Sequence, residues 1–297
     1  MNYRPAENSG IWGKLWPSEK LSILSVSFFS VLIIIDYFLH QNKAIYLLPF
    51  SLLVIILQLL IPSWQGRFSS RPLTLFGRLA FSLAVYAYLY KLAGSLVHLL
   101  NYSWFDAHLL RLDRLIFGFS PNLAVVSHYQ PWLTELMMFS YFFYLPLVVI
   151  LAYQLFRKFG PEETEGYVLT LGLAYILCFI IFILWPAASP RFYLSNQPAS
   201  GFLFWNLMKV VEAHGQYQGG SFPSAHCAAG LVMIIYAWRA GKKTFLIVFP
   251  LIILFFLSTV YGQYHYGIDV LAGIIIGFLA FLLSQFIFSH WSERGSI

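Results

Sequence analysis

Eight long apolar stretches run through the sequence and limit the folds that are open to the chain. They lie near 21 to 40, 44 to 62, 79 to 100, 131 to 156, 167 to 185, 225 to 239, 244 to 261 and 268 to 289. A helix of about 20 apolar residues is long enough to cross the hydrocarbon core of a bilayer. Only 10% of the residues are charged, against about 25% in ordinary soluble domains. We therefore predict an all-α fold, a polytopic membrane bundle of about eight transmembrane helices.

Two longer connections separate these stretches. Residues 103–118 mix apolar and charged side chains and end at a glycine, which predicts an interfacial amphipathic helix. Its polar residues are expected to face water, and they are Asp106, His108, Asp113 and Arg114. The connection over 186–223 is rich in Pro, Gly, Ser, Asn and Gln and is predicted to be a loop.

The positive charges predict how the bundle is oriented. With eight crossings, most of the 18 Lys and Arg residues fall on the side of the N terminus, and cytoplasmic loops are the ones that carry such an excess. Both termini are therefore expected in the cytoplasm, and the net charge of +6 requires no nucleic-acid partner. The first apolar stretch is long enough to span and follows a polar tail, so no cleavable signal peptide is expected.

Three ionisable side chains beside the apolar stretches mark a candidate active site. His226 lies in GGSFPSAHCAAG, and His265 and Asp269 lie in STVYGQYHYGIDVLAG. Ionisable groups at membrane depth are costly and tend to be functional. Counting the crossings places three parts of the chain on one side of the membrane, the extracytoplasmic side. They are the end of the fifth apolar stretch near 185, the start of the sixth near 225, and the turn over 261–268. We expect these segments to meet in one site.

The residue types and their spacing suit phosphoryl transfer. His265 and Asp269 are four residues apart, so on a helical turn the carboxylate can orient the imidazole that attacks phosphorus. His226 follows Ser224, a candidate N-cap at an anion-binding helix start, and can protonate the leaving oxygen and then activate the acceptor. Arg191 supplies a guanidinium for phosphate oxygens, with an interfacial anchor as its alternative role.

Four further side chains near the site could contact a lipid head group, namely His214, Tyr264, Tyr266 and Thr259. Each also has a purely structural interpretation. His214 could be a solvated loop residue, the tyrosines could belong to the interfacial aromatic belt, and Thr259 could bond to its own helix backbone.

At these residues the sequence resembles the type 2 phosphatidic acid phosphatase superfamily, whose motifs are KxxxxxxRP, PSGH and SRxxxxxHxxxD on a six-helix membrane core. PSAH at 223–226 matches the second motif with Ala225 in place of Gly. STVYGQYHYGID at 258–269 matches the third with Thr259 in place of Arg. The first motif departs most, because Phe192 follows Arg191 and Leu184 occupies the Lys position.

These departures, together with LDRLIFGFSP at 112–121, look like the inositol phosphorylceramide synthase branch, an inositolphosphotransferase group. The resemblance implies His265 as nucleophile, Asp269 as its orienter and His226 as general acid and base. It implies Arg191 and Ser224 as phosphate contacts, and neither a metal nor another cofactor. It covers the later part of the chain, so we predict a tail with two accessory helices over 1–66 and a catalytic membrane domain over 67–297.

The expected function is transfer of a phospho-head group, such as phosphoinositol, from a phospholipid to a lipid alcohol of the ceramide or diacylglycerol type through a phosphohistidine. A site with one arginine suits a phosphodiester, which has one negative charge, better than a phosphomonoester, which has close to two. A lipid phosphate phosphatase of the same superfamily is an alternative. Two further alternatives are a metal-dependent membrane hydrolase with His226, His265 and Asp269 as ligands, and a lipid-binding protein without catalysis. The partners in every case are membrane lipids.

Overall fold

The computed structural model describes residues 10–68, 72–196, 198, 200–215 and 218–293, and this part of the chain is helical without a β-strand. Residues 1–9 of the predicted polar tail lie outside it. The helices in chain order are α1 (Pro17–His40), α2 (Leu48–Phe68), α3 (Pro72–Gly94), α4 (Asp106–Phe117), α5 (Pro121–Ala124), α6 (Pro131–Phe159), α7 (Pro161–Leu184), α8 (Pro190–Tyr193), α9 (Leu203–Gly215), α10 (Ala225–Ala240), α11 (Lys242–Tyr261) and α12 (Gly267–Glu293).

Each of the eight predicted stretches lies on a helix. Within the described residues, six helical segments are long and apolar enough to cross a membrane, and these are Pro17–His40, Lys43–Ile61, Pro131–Phe159, Pro161–Leu184, Lys242–Tyr261 and Gly267–His290. The other two stretches correspond to α3, which begins earlier than predicted at Pro72, and to α10, which has only 16 residues. The prediction of an all-α polytopic membrane bundle is confirmed.

The described chain divides into two compact units. The first comprises the described residues of Met1–Leu96, Ala152–Ile176 and Leu279–Ile297, and the second comprises Val97–Leu151 and Leu177–Phe278. All the side chains predicted for the active site belong to the second unit. The predicted division of the chain at residues 66 and 67 stays a prediction.

A buried polar cluster joins three helices in the first unit. Glu19 of α1 pairs with Arg78 of α3, whose Nε lies 2.7 Å from the carboxylate. Glu165 of α7 accepts hydrogen bonds from the backbone N–H and the hydroxyl of Ser18 in α1. Buried charges are tolerated when they are paired and hydrogen-bonded in this way.

The helix predicted over 103–118 is present as α4, and it ends at Gly118 in a left-handed conformation, with φ of 78°. Its interfacial position stays a prediction. The prediction that Asp106 and Asp113 face water is wrong, because both side chains are fully buried. The apolar Leu115 of this helix, in contrast, is 73% exposed. Both aspartate carboxylates accept hydrogen bonds from backbone N–H groups of the segments that carry the candidate site residues. These hydrogen bonds allow them to be buried.

The prediction of a loop over 186–223 is wrong at 203–215, where the chain forms α9. The start of this helix is bonded to a residue of another helix. The carboxylate of Glu135 in α6 accepts hydrogen bonds from the N–H groups of Phe202, Phe204 and Trp205, at 2.7–3.3 Å. An acidic group at a helix N terminus satisfies its free donors and the helix dipole.

Backbone contact between α10 and α12 determines where the second unit places its histidines. A Cβ atom at Gly273 would lie 2.4 Å from the carbonyl oxygen of Ser224, and one at Gly277 would lie 2.4 Å from that of Ala228. Small residues at this spacing let membrane helices approach closely. The start of α10 therefore lies beside the first turn of α12, where the N–H of Ser224 donates to the carbonyl of Asp269 at 3.0 Å.

Candidate active site

His265 is a buried histidine in the turn between α11 and α12, with 4% of its surface exposed. Its Nδ1 lies 2.9 Å from the carbonyl oxygen of Ser221. Because a carbonyl oxygen can only accept, Nδ1 carries the proton, and Nε2 keeps its lone pair. Burial lowers the pKa of His265 to about 4, against the smaller raising effect of the Ser221 hydrogen bond. The imidazole is therefore neutral near pH 7, as a nucleophile must be.

Asp269 is connected to His265 differently from the prediction. Its Oδ2 lies 3.5 Å from Nδ1 of the imidazole, which is longer than a good hydrogen bond. That oxygen instead accepts from the Ser221 hydroxyl at 2.6 Å and from the N–H of Tyr266 at 2.9 Å. The helical spacing does not apply, since α12 begins only at Gly267. Ser221 thus bonds to the imidazole through its carbonyl and to the carboxylate through its hydroxyl.

His226 lies opposite His265 at the start of α10. The two ring centroids are 5.8 Å apart, with an angle of 59° between the rings. Ser224 is the N-cap of this helix, as predicted, and its hydroxyl accepts from the N–H of Cys227 at 3.2 Å. The ring of His226 also contacts that of Tyr144, at 5.4 Å between centroids. Two imidazoles thus face each other, one on the first turn of α10 and the other in the turn before α12.

Arg191 lies in the short helix α8 and is engaged on two sides. Its backbone N–H donates to the carbonyl of Gln263 at 2.8 Å, next to the His265 turn. Its guanidinium forms an ion pair with Glu212 of α9 and lies 5.6 Å from the centre of the Tyr264 ring. Burial opposes the charged form, but Glu212 raises the pKa of Arg191 above its usual value.

Glu212 is a site residue that the sequence analysis missed, because its segment was predicted to be a loop. Its carboxylate also accepts a hydrogen bond from the hydroxyl of Tyr264. The spacing of Trp205, Met208 and Glu212 puts these three on one face of a helix, and this periodicity is the sequence signal that could have identified it.

The four candidate head-group contacts have different outcomes. Tyr264 lies in the site, bonded to Glu212. Tyr266 and Thr259 are fully buried, with their hydroxyls donating to Asp106 at 2.7 Å and to the carbonyl of Phe256 at 2.7 Å. Their hydroxyl groups face protein partners inside the bundle, and a head-group contact by these two residues stays a prediction. The side chain of His214 lies outside the described part of the structure.

Asp106 links the two segments that bear the site residues, a role the sequence analysis did not anticipate. One carboxylate oxygen accepts from the N–H of Ala188 at 2.8 Å, and the other accepts from the N–H of Ser189 at 3.2 Å and from the hydroxyl of Tyr266. Ala188 and Ser189 precede Arg191, and Tyr266 follows His265. One buried carboxylate thus holds both segments together.

Asp113 holds the first turn of α12. Its two oxygens accept from the N–H of Ile268 at 2.7 Å and from the N–H of Gly267 at 3.2 Å. Burial raises the pKa of Asp113 to about 6, although both N–H groups act in the other direction. Acidic residues in an interfacial helix beside apolar stretches were the available signal for this role.

The side chains of the site do not form a metal-binding group. Among the residues that the structure describes, no three His, Cys, Asp or Glu side chains are placed to hold a metal ion. This gives no support to the alternative in which His226, His265 and Asp269 are metal ligands.

Comparisons with known proteins agree with the resemblance in the motifs. The chain is 27% identical over 119 residues to a PA-phosphatase related-family protein of Dictyostelium discoideum. That match covers 38% of this chain and only 22% of the relative. The search of solved structures gave no significant match. The family model described as PAP2 superfamily, the type 2 phosphatidic acid phosphatases, matches residues 107–283. Because this match covers more than half of the chain and includes every candidate site residue, the chain belongs to the PAP2 superfamily.

Proposed function

We propose that the protein is an integral-membrane phosphotransferase that moves a phospho-head group, such as phosphoinositol, from a phospholipid to a lipid alcohol of the ceramide or diacylglycerol type. Superfamily membership supports a phosphatase or a phosphotransferase acting on membrane lipids. The observation that carries the proposal is the buried His265, whose Nε2 has a free lone pair and which faces His226 across 5.8 Å.

In the first half of the reaction, Nε2 of His265 attacks phosphorus. The bond between phosphorus and the diacylglycerol oxygen breaks, and His226 donates a proton to that oxygen. The carboxylate of Asp269 stabilises the positive charge that develops on the imidazole, at 3.5 Å from Nδ1. Diacylglycerol leaves, and the phospho-head group stays on His265 as a phosphohistidine.

In the second half, His226 takes the proton from the hydroxyl of the acceptor lipid, whose oxygen attacks the same phosphorus atom. The bond between phosphorus and Nε2 breaks, and its electron pair returns to the imidazole of His265. The Ser221 carbonyl holds Nδ1–H throughout, so the ring keeps its orientation in both steps.

The choice of a transferase acting on a phosphodiester rests on charge and on the motif departures. Thr259 and Leu184 occupy positions at which the superfamily motifs have cations, and the side chain of Arg191 is already paired with Glu212. A site with so little net positive charge suits a monoanionic phosphodiester. The same departures resemble the inositol phosphorylceramide synthase branch.

A lipid phosphate phosphatase is the second candidate. The name of the Dictyostelium relative, a PA-phosphatase related-family protein, favours it. The chemistry of the first step would be unchanged, and water would replace the lipid alcohol in the second.

We also propose that the site faces the extracytoplasmic side and that both termini are cytoplasmic. The support is the distribution of Lys and Arg along the sequence, since cytoplasmic loops carry the excess of positive charge.

Incubating the purified protein in lipid vesicles with phosphatidylinositol labelled in the inositol ring tests the transferase proposal. One sample receives ceramide, a second receives diacylglycerol with a distinct acyl length, and a third receives no acceptor. We expect a new labelled lipid only when an acceptor is present. Release of water-soluble inositol phosphate at the same rate in all three samples would contradict transfer and favour a hydrolase, in which water is the acceptor.

The pH dependence of kcat/KM should reflect the neutral His265. A histidine loses its nucleophilic lone pair as the pH falls below its pKa, and this happens near pH 6.5 for an unperturbed side chain. Because burial lowers the pKa of His265 to about 4, activity toward a phosphodiester should persist below pH 6.5 and be lost only nearer pH 4. Rates measured from pH 4 to 8 provide the test.

Asp113 is the control for this measurement, because its own pKa is about 6. If kcat/KM falls near pH 6 in the wild type but not in Asp113→Asn, titration of Asp113 causes the fall. A fall near pH 6.5 that is the same in both proteins would contradict the assignment of a lowered pKa to His265.

A further inference from the structure

The ion pair between Arg191 and Glu212 lies at the edge of the candidate active site and is largely shielded from solvent. The two side chains are 11% and 9% exposed. Glu212 accepts from the guanidinium with one oxygen and from the Tyr264 hydroxyl with the other. Glu212 supplies the negative charge of the ion pair with Arg191. The cation most suited to bind a phosphate therefore already has a negative partner.

This pairing has different consequences for the two kinds of lipid phosphate. A phosphate that binds Arg191 must lie close to the carboxylate of Glu212, and the repulsion between them grows in proportion to the charge on the phosphate. A phosphomonoester with nearly two negative charges is repelled about twice as strongly as a phosphodiester with one. The partly buried position increases the effect, because the charges are less screened than in water.

Glu212 can also attract one class of head group. An ionised carboxylate has more lone pairs than the two that Arg191 and Tyr264 occupy, so it can accept further hydrogen bonds from hydroxyl groups. The pair borders a small cavity, which is also lined by Trp205, Lys209 and Gly262. The ammonium of Lys209 lies over the ring of Trp205, at 5.0 Å from its centre.

We propose that Glu212 is a specificity-determining residue that excludes dianionic phosphomonoester lipids and favours monoanionic phosphodiesters with a hydroxyl-bearing head group. The inference rests on the proposed lipid phosphoryl transfer and extends it to the substrate class. It assigns the discrimination to a carboxylate on α9, which none of the three superfamily motifs includes.

The test is Glu212→Gln in the full-length protein in lipid vesicles, with phosphatidic acid and phosphatidylinositol as substrates. Glutamine keeps the shape and an acceptor oxygen for Arg191 but removes the charge. We expect the ratio of kcat/KM for phosphatidic acid to that for phosphatidylinositol to rise about tenfold, which corresponds to about 1.4 kcal/mol. Glu212→Asp, which keeps the charge, should leave the ratio near that of the wild type.

Glu162→Gln is the matched control, since it removes the same charge from the first turn of α7. It should not change the ratio. An unchanged ratio in Glu212→Gln, with both substrates still turned over, would overturn the inference. If the wild type turns over neither lipid, the proposed function itself fails, so the two failures are distinguishable.

A measurement on the wild type keeps the inference testable if Glu212→Gln does not fold. The second proton of a phosphomonoester titrates near pH 6, whereas a phosphodiester keeps one charge. The same ratio of kcat/KM should therefore rise as the pH falls below about 6, because the monoester becomes monoanionic. Titration of the enzyme affects both substrates and cancels in the ratio. A ratio that is independent of pH would overturn the inference.

Discussion

His265→Asn is expected to abolish the phosphoenzyme and to lower turnover by about 10⁶-fold, the size of the loss when a catalytic nucleophile or its base is removed. Asparagine places an N–H donor close to the position of Nδ1, so the hydrogen bond to the Ser221 carbonyl can be kept while Nε2 is lost. The measurement is rapid quenching with a lipid labelled at phosphorus, followed by detection of acid-labile, alkali-stable label on the protein.

His98→Asn is the matched control for this substitution. Nδ1 of His98 also lies 2.9 Å from a carbonyl oxygen, that of Asn101, but the side chain is outside the candidate site. Wild-type phosphoenzyme and turnover are expected in this control. Labelled phosphoprotein in His265→Asn, or turnover within tenfold of the wild type, would contradict the role of His265 as nucleophile.

Asp106→Ala is expected to have the second-largest effect. It leaves three buried donors without their acceptor, namely the N–H groups of Ala188 and Ser189 and the hydroxyl of Tyr266. Each unsatisfied buried donor costs about 1–3 kcal/mol. Because the segments of Arg191 and His265 lose their common anchor, we expect turnover to fall about 100-fold, with a lower temperature of unfolding.

Asp106→Asn and Asp113→Asn separate a positioning role from a general loss of stability. Asp106 holds both the segment of Arg191, which is proposed to bind phosphate, and the segment of His265, which is proposed to attack it. Its variant should therefore raise KM and lower kcat. Asp113 holds only the first turn of α12, so its variant should lower kcat and leave KM near that of the wild type. Steady-state kinetics with phosphatidylinositol give both constants. Equal changes in KM for the two variants would contradict the separate roles.

Much of the fold could be predicted because hydropathy is a local property. In lipid the backbone must satisfy its own hydrogen bonds, so an apolar stretch of sufficient length is a helix. Helix α9 was missed for the opposite reason. Its N-terminal donors are satisfied by Glu135, a residue of α6 far away in the sequence, and no local pattern shows such a cap.

The candidate site was predictable in its residue types and less so in its contacts. His226, His265 and Arg191 stand out by charge and position, and the structure places all three in the second unit. The partners that hold them come from distant segments. Ser221 reaches His265 from the segment before α10, Glu212 reaches Arg191 from α9, and their pairings depend on the tertiary fold.

The glycines at 273 and 277 have a consequence for the distance between the proposed nucleophile and the proposed general acid. The helix of His226 contacts the helix that follows His265 through backbone carbonyl oxygens. A methyl group added to either glycine would push these oxygens away. The distance between the two imidazoles is therefore limited by the absence of two side chains inside the bundle. A chain with alanines there would keep both histidines and still hold the proposed nucleophile and the proposed general acid too far apart to act on one phosphorus atom.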